Sequence, residues 1–344
     1  MDKPSIVITL GDPTGIGPEI VKKAILSKAV RKICKPIIIG TSRGFTPGFP
    51  SDKSNKAAIS FLVKALELAK NKEVDAIVTS PVPKSAFVYS NRLTCPPYFL
   101  AKTGKVTKQS EMVRACSTES FRQRKLGGHT EFLAEKTSFQ VDSSHAKKNV
   151  EMLMVAKDKK VLLLTRHVPL KDVSQNISIK KIVGSTTLAY EFIKKYFKIK
   201  KPKIIICGLN PHCGDNGLVG IEEKEKIIPA IEILKKSGID VFGPVNCEIA
   251  FKKKSDLIVC MYHDQAMSLL KLLNPNKIVN VTIGLPFIRT SPAHGTAYDI
   301  AGKNKANPQS MIEAIKLACQ LAPLKIPSNS KIPARLTKSE KQVK

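Results

Sequence analysis

The chain reads as an α/β protein built on a largely parallel sheet, and three observations predict this. Short β-branched runs alternate with amphipathic helical stretches along 344 residues. Several runs pass through glycine or histidine straight into a helix, the strand, turn and helix grammar of an open α/β sheet. Polar side chains crowd the ends of the same runs, which is where such sheets bind ligands.

In chain order, Ile6-Val-Ile-Thr-Leu is a strand that enters Gly11-Asp-Pro-Thr-Gly-Ile-Gly-Pro-Glu19, with Pro18 at an early helical position that tolerates proline. These glycines miss the G-x-G-x-x-G spacing, and no acidic residue closes a second strand at the expected distance. The segment is therefore a tight turn into a helix and not a dinucleotide fingerprint. Strands follow at Ile37 to Ile39 and Ala76 to Thr79, on either side of a helix of 3.6 periodicity from Ala57 to Ala69. Gly127-Gly-His-Thr-Glu-Phe-Leu-Ala134 opens another helix, either as a threonine cap or with amides turned toward an anion. Then come a strand from Val161 to Thr165, a helix from Ser178 to Tyr196, a strand from Lys203 to Cys207 and a helix from Glu222 to Lys236. Leu257-Ile-Val-Cys-Met-Tyr-His-Asp-Gln265 repeats the strand-to-helix grammar, Ile278 to Ile283 is a strand, and Ser310 to Leu321 is a helix.

Composition narrows the function. The net charge is +29, from 57 Lys plus Arg against 28 Asp plus Glu. The lysines are spread along helix faces and turns, there is no tryptophan, and no basic-aromatic repeat offers a platform for bases, so nucleic acid is not the expected partner. A positive field suits an anionic small substrate. Eight cysteines without a C-x-x-C pair read as free thiols of a cytoplasmic protein. The start, Met1-Asp2-Lys3-Pro4, has no long apolar region, and no segment approaches the roughly 18 apolar residues of a membrane span. The Lys, Ser and Pro rich end after Pro323 reads as a disordered basic tail, over 325–344.

The richest segment is Val279 to Gly302, a strand that enters a loop carrying Arg289, Thr290, Ser291, His294 and Asp299 between glycines. Of six histidines, His129, His167, His212, His263 and His294 lie in motif loops and only His145 lies outside. His167, His212 and His263 each follow an apolar run directly, so all three could project from strand ends. Three imidazoles make an open divalent-metal site with room for substrate oxygens, although no H-E-x-x-H spacing demands a metal here.

Taken together, G-D-P-T-G-I-G-P-E, G-G-H-T-E-F-L-A, the Thr-Arg-His-Val-Pro-Leu loop, G-L-N-P-H-C-G-D, M-Y-H-D-Q and V-N-V-T-I-G-L-P-F-I-R-T-S-P-A-H-G-T-A-Y-D-I-A-G closely resemble the 4-hydroxythreonine-4-phosphate dehydrogenase family of pyridoxal phosphate biosynthesis. The resemblance implies an isocitrate/isopropylmalate-dehydrogenase-like fold of two intertwined α/β domains with a largely parallel sheet, and not a Rossmann fold. Residues 1–324 would form one unit, with a first subdomain of about 1–135 plus about 284–324 and a second of about 136–283. It implies a homodimer with a shared active site, in which His167, His212 and His263 hold a divalent metal (Zn, Mg or Co) and His263 comes from the partner subunit. His129, Thr130, Lys271, Asn280 and Arg289 would hold the substrate, with Lys271 and the three histidines counted as catalytic. NAD or NADP is expected among the C-terminal motifs, at Gly284, Thr290, His294 and Asp299.

The implied reaction is oxidation and decarboxylation of 4-phosphooxy-L-threonine to 3-amino-2-oxopropyl phosphate. The alternatives are a paralogue acting on threonate or erythronate 4-phosphate or on a cis-dihydrodiol carboxylate, and a degenerate, non-catalytic homologue. Three departures from the family pattern stand out: a short Gly/Pro-rich connection from Gly40 to Lys53, an insertion over 88–126 that does not align, and Cys247-Glu248-Ile249 in place of Ala-Asp-Thr.

Overall fold

The computed structural model describes residues 3–87, 128–138 and 150–322. The expected insertion at 88–126 and the basic tail at 325–344 lie outside them.

The first elements are β1 (Ser5–Thr9), α1 (Gly17–Leu26), α2 (Lys28–Ile33), β2 (Lys35–Ile39), α3 (Asp52–Lys70), β3 (Ala76–Thr79) and α4 (His129–Ser138). There follow β4 (Glu151–Ala156), β5 (Lys159–Leu163), α5 (Ile179–Phe192), β6 (Ile204–Cys207), α6 (Ile228–Lys236), β7 (Val241–Val245) and α7 (Cys247–Lys252). The last are β8 (Leu257–Cys260), α8 (His263–Leu273), β9 (Val279–Ile283), β10 (Ile288–Pro292) and α9 (Gln309–Leu321). Local chemistry sets several boundaries. A reciprocal Ser51/Ser54 capping box starts α3, and the Ser178 hydroxyl accepts from Lys181 N–H to start α5. The expected helix from Glu222 begins as a π-helical turn, Glu223–Ile227, and becomes α-helical at Ile228, because Pro229 has no N–H to donate and fits only a first turn.

The strands form one ten-stranded sheet in the order β2-β1-β3-β10-β9-β4-β5-β8-β6-β7. All neighbours are parallel except β10·β9, β9·β4 and β4·β5, so the α/β class with a mostly parallel sheet is as the sequence predicts. One expectation changes: Arg289, Thr290 and Ser291 belong to a strand and not to a loop. Gly284, at φ +92°, lets the chain turn after β9. Ile288–Pro292 then pairs back against β9 and also joins β3.

Side chains alternate between the two faces of this sheet, and the faces differ. On one, Val78, Val281, Leu153, Leu162, Val259 and Ile206 belong to a single apolar cluster that runs under α1, α5, α6 and α9. On the other, the register row Ile77–Arg289–Thr282–Met152–Leu163–Cys260 starts and ends apolar but has a guanidinium and a hydroxyl in the middle. Ile77 packs with Val7, Ala65 and Ala69. Met152, Leu163 and Cys260 pack with Phe251, Met267 and Leu270. Between these separate clusters lies the polar stretch, and the functional cleft opens there.

The N-terminal glycine turn has a structural task. Asp12 is fully buried, accepts from Thr14 N–H and Oγ1 at 2.9 and 2.7 Å, and receives the Tyr298 hydroxyl at 2.6 Å. Ile16 N–H donates to Thr296 O at 2.9 Å. A Cβ on Gly11 would sit 2.3 Å from Pro81 O, so no other residue fits this approach. The turn thus fastens the segment after β10 to the end of β3. Among the described residues no helix is long and apolar enough to cross a membrane.

Candidate active site

A cleft of about 280 Å³ opens over the middle of the polar face, lined by Thr79, Ser80, Lys84, His129, Thr130, Glu131, Met152, His167, Asn280, Arg289, Ser291 and His294 among others. Its floor is Arg289, 1% exposed. The guanidinium donates to Thr79 Oγ1 from Nε at 3.2 Å and from Nη2 at 2.6 Å, and to Thr282 Oγ1 from Nη1 at 2.9 Å. Among the described residues no carboxylate pairs with it. Burial pushes this arginine down to about 9, with the charge of Glu131 working the other way. A buried cation held only by neutral hydroxyls is costly to maintain and is relieved by an incoming anion.

Three polar atoms in the same cleft are buried without a partner: His129 Nε2, Asn280 Oδ1 and Ser80 Oγ. Buried polar groups are nearly always hydrogen-bonded, so three orphans around one unpaired guanidinium mark a place for a polar ligand. His129 is held well below its ordinary value by burial and then by Arg289, and its ring meets Phe87 edge-on at 5.1 Å. It is therefore a neutral imidazole. Thr130 is buried in the first turn of α4, where free N–H groups favour an anion.

The rim is braced by two residues that sequence reasoning did not single out, Glu131 and Arg166. Glu131 accepts from Gly128 N–H at 2.8 Å and pairs with Arg166 at 3.3 Å. Arg166 also pairs with Glu151 at 3.3 Å and donates to Val150 O at 2.9 Å, which ties α4 to the start of β4. Burial works to raise Glu131, but Arg166 and the Gly128 N–H outweigh it and hold it below the usual range. Thr79, Ser80 and Lys84 were missed as well: Ser80-Pro-Val-Pro-Lys84 puts polar residues at the end of the Ala76 to Thr79 strand but lacks the glycine or histidine that marked the segments chosen.

The three expected metal histidines sit at the C-terminal ends of three neighbouring parallel strands, β5, β8 and β6. His167 and His263 come together within one chain, with ring centroids 5.7 Å apart, although the resemblance implies that His263 comes from the partner. His263 Nδ1 lies 2.7 Å from Asp264 Oδ1. That contact fixes the proton on Nδ1 and leaves Nε2 free as a ligand. His167 is lowered by burial, Lys84 and His263, and so is neutral and able to coordinate. His212 is exposed and does not join them in a three-ligand group. It begins a left-handed run, with φ of 53° at His212, 55° at Cys213, 39° at Asp215 and 55° at Asn216. Such backbone costs roughly 1–2 kcal/mol per non-glycine residue. Glu223 offsets this by accepting from Leu209 and Asn210 N–H at 2.7 and 2.8 Å and from Asn210 Nδ2 at 2.8 Å.

The remaining expected residues divide. Asn280 and Arg289 line the cleft with His129 and Thr130, and His294 lies at its edge. Lys271 is exposed on α8 and does not line the cleft of its own chain. Thr290 faces the opposite side of β10 and donates to Ala314 O at 2.8 Å, so the strand's period of two makes it a core residue and not a cofactor ligand. Gly284 serves the turn before β10, and Asp299 is exposed beyond the cleft.

Residues 110–318 match the family described as Pyridoxal phosphate biosynthetic protein PdxA. The 4-hydroxythreonine-4-phosphate dehydrogenase of Sulfurihydrogenibium sp. (strain YO3AOP1) is 36% identical over 355 residues, which cover 92% of this chain and 98% of that one. The D-threonate 4-phosphate dehydrogenase of Cupriavidus necator is 32% identical, with 93% and 97% covered. The crystal structure of a 4-hydroxythreonine-4-phosphate dehydrogenase from Burkholderia phymatum superposes with a TM-score of 0.68 at 31% identity, over 94% of this chain and 100% of that one. A cleft that gathers His129, Thr130, Asn280 and Arg289, on a fold shared end to end with these dehydrogenases, places the chain in the pyridoxal phosphate biosynthetic protein PdxA family.

Proposed function

We propose that this cleft binds 4-phosphooxy-L-threonine and oxidises its secondary alcohol with NAD or NADP, the product losing carbon dioxide to give 3-amino-2-oxopropyl phosphate. The observation that carries the reading is Arg289, a buried guanidinium that among the described residues has no carboxylate partner, in one cleft with His129 Nε2, Asn280 Oδ1 and Ser80 Oγ, which likewise find none there. Arg289 neutralises an oxyanion of the substrate, and its planar fork grips that group in two places. The α4 N-terminus at Thr130 adds N–H donors. His129 and Asn280 fix orientation by hydrogen bonds that a misplaced substrate leaves unmade.

His167 and His263, with His212 as the third, are the residues that would hold a divalent cation. The neutral His167 ring and the Asp264 brace on His263 fit that role. When bound, such a cation supplies Lewis acidity toward the substrate oxygens, and a nicotinamide supplies the hydride acceptor. His294, at the cleft edge, is the expected residue best placed to meet the cofactor.

The same reading has the protein working as a homodimer in the cytoplasm. Leu218, Val219 and Ile221, which follow His212, are 85%, 44% and 51% exposed, and Leu272 and Leu273, beside Lys271, are 78% and 54% exposed. Apolar surface next to two site residues that stay outside the chain's own cleft supports completion of the site by a second copy, which would deliver Lys271.

A second reading, oxidation of D-threonate 4-phosphate, is favoured by the name of the Cupriavidus relative. The two substrates differ by an amino group against a hydroxyl on the same phosphorylated skeleton. Purified protein assayed against both, and against their dephosphorylated forms, with each cofactor, decides between them: selective turnover of 4-phosphooxy-L-threonine supports the first reading, and selective turnover of the threonate replaces it.

A further inference from the structure

A second cluster of ligand-type side chains lies on the same sheet face, beyond Met152 and Leu163. The Sγ atoms of Cys207 and Cys260 are 3.9 Å apart, those of Cys247 and Cys260 are also 3.9 Å apart, and all three lie within 4.8 Å of one another. They come from three separate elements: the end of β6, the first residue of α7 and the end of β8. Cys207 and Cys260 are buried, and Cys247 is half-buried and gives the cluster its access to solvent.

We propose that Cys207, Cys247 and Cys260 form a three-thiolate site for one soft d10 cation of the zinc class, separate from the histidines of the cleft. Spacing is the first argument. Zinc binds thiolate sulfur at about 2.3 Å, and three ligands at tetrahedral to trigonal angles then stand about 3.8–4.0 Å apart. The two shortest separations here match that spacing before any ion enters.

Preorganisation is the second argument. Gln265 Oε1 accepts from Met261 N–H at 2.7 Å while its Nε2 donates to Gly208 O at 2.8 Å, so one side chain clamps the residue after Cys260 to the residue after Cys207. Cys247 donates to Gln265 O at 3.3 Å. Three donors on braced backbone lose little freedom on binding.

The third argument is access: Cys207 and Cys260 lie buried on the floor of the cluster, and half-buried Cys247 leaves one side through which an ion can enter. Binding removes one proton from each of the three thiols, releases them to solvent, and leaves three thiolates on a divalent ion with a fourth position open toward the exposed side.

The test is anaerobic titration of the reduced, chelator-stripped full chain with cadmium, read by the cadmium–thiolate charge-transfer absorbance, and with zinc, read by loss of thiol reactivity. The expected result is saturation at one equivalent in the charge-transfer signal, with three thiols per chain protected by zinc. Cys247→Ala should weaken cadmium binding at least tenfold, while Cys213→Ala and His263→Ala keep the signal. Cys260→Val should do the same as Cys247→Ala. Because Cys260 is fully buried, that variant is scored only if its circular dichroism matches the wild type, and Cys247→Ala carries the test otherwise. Absence of a stoichiometric charge-transfer signal, or a signal that survives Cys247→Ala and disappears in His263→Ala, overturns the proposal.

Discussion

Thr79 Oγ1 accepts two hydrogen bonds from Arg289, at 3.2 and 2.6 Å, and this contact between β3 and β10 is what aims the guanidinium into the cleft. The charge is positioned by hydroxyls, and among the described residues no carboxylate neutralises it. That arrangement serves ligand binding better than it serves folding.

Substituting Arg289 separates the two. Arg289→Met should abolish turnover while leaving the melting temperature at or above that of the wild type, because an apolar side chain of similar size removes an unpaired buried charge. Arg289→Lys should raise KM about tenfold or more, since a point charge cannot hold an oxyanion in two places. A variant that melts much lower with near-normal KM would make Arg289 a structural residue.

Thr79→Val keeps the shape of the side chain and removes the acceptor. Losing a hydrogen bond to a charged group costs about 1.5–3 kcal/mol. A fall in kcat/KM of about tenfold to a hundredfold should follow, and steady-state kinetics with the phosphorylated substrate measure it.

Much of the cleft could be read from the sequence because several side chains that line it lie close to glycine or histidine punctuation: His129, His167 and Arg289 stood out in their own segments, and Asn280 came through the family resemblance. What escaped depends on strand pairing. Thr290 stood among the expected cofactor residues of the C-terminal motifs, yet the segment is strand β10, and a period of two turns Thr290 into the core against Ala314. Thr79 carries no motif of its own, and Thr282, although inside the Val279 to Gly302 segment, was read only as part of a strand; both matter because β3 and β9 lie on either side of β10. Arg166 was read only as part of the loop around His167, and its bridging of Glu131 and Glu151 is a tertiary fact.

His129 gives the fold a pH dependence with a definite sign. Burial and Arg289 lower it in the folded state, so the unfolded chain takes up the proton first as pH falls. Its stabilising share is complete above the unfolded value of about 6.5 and is lost below it. Melting temperatures of wild type and His129→Gln, followed from pH 7.5 to about 5, should show a smaller acid-side loss in the variant. Parallel curves would mean that His129 does not titrate differently on folding.

Asp264→Asn tests the brace on His263. Carboxylates that hydrogen-bond a metal-binding histidine in this way are worth about 10–100-fold in metal affinity, so the variant should need that much more cation for half-maximal activity, with little change at saturation. Unchanged metal dependence would remove His263 from the metal set.

The proposed completion of the site by a second copy makes a mixing experiment informative. Lys271→Ala and Arg289→Ala are each expected to be inactive, and a mixed dimer has one site with both defects and one with neither. Random exchange should restore roughly a quarter of wild-type activity, with subunit exchange verified by differently tagged chains. Mixed dimers without activity would place Lys271 and Arg289 in the same subunit's site.

The proposed function requires the Arg289 cleft to accept a phosphorylated hydroxy acid. The most direct measurement is kcat/KM for 4-phosphooxy-L-threonine and for 4-hydroxythreonine, with NAD and NADP and a saturating divalent cation. Reduction of at least one cofactor is expected with the phosphorylated substrate, with a loss of at least a hundredfold without the phosphate. Equal turnover of both compounds, or none of either phosphorylated acid with either cofactor, would contradict it.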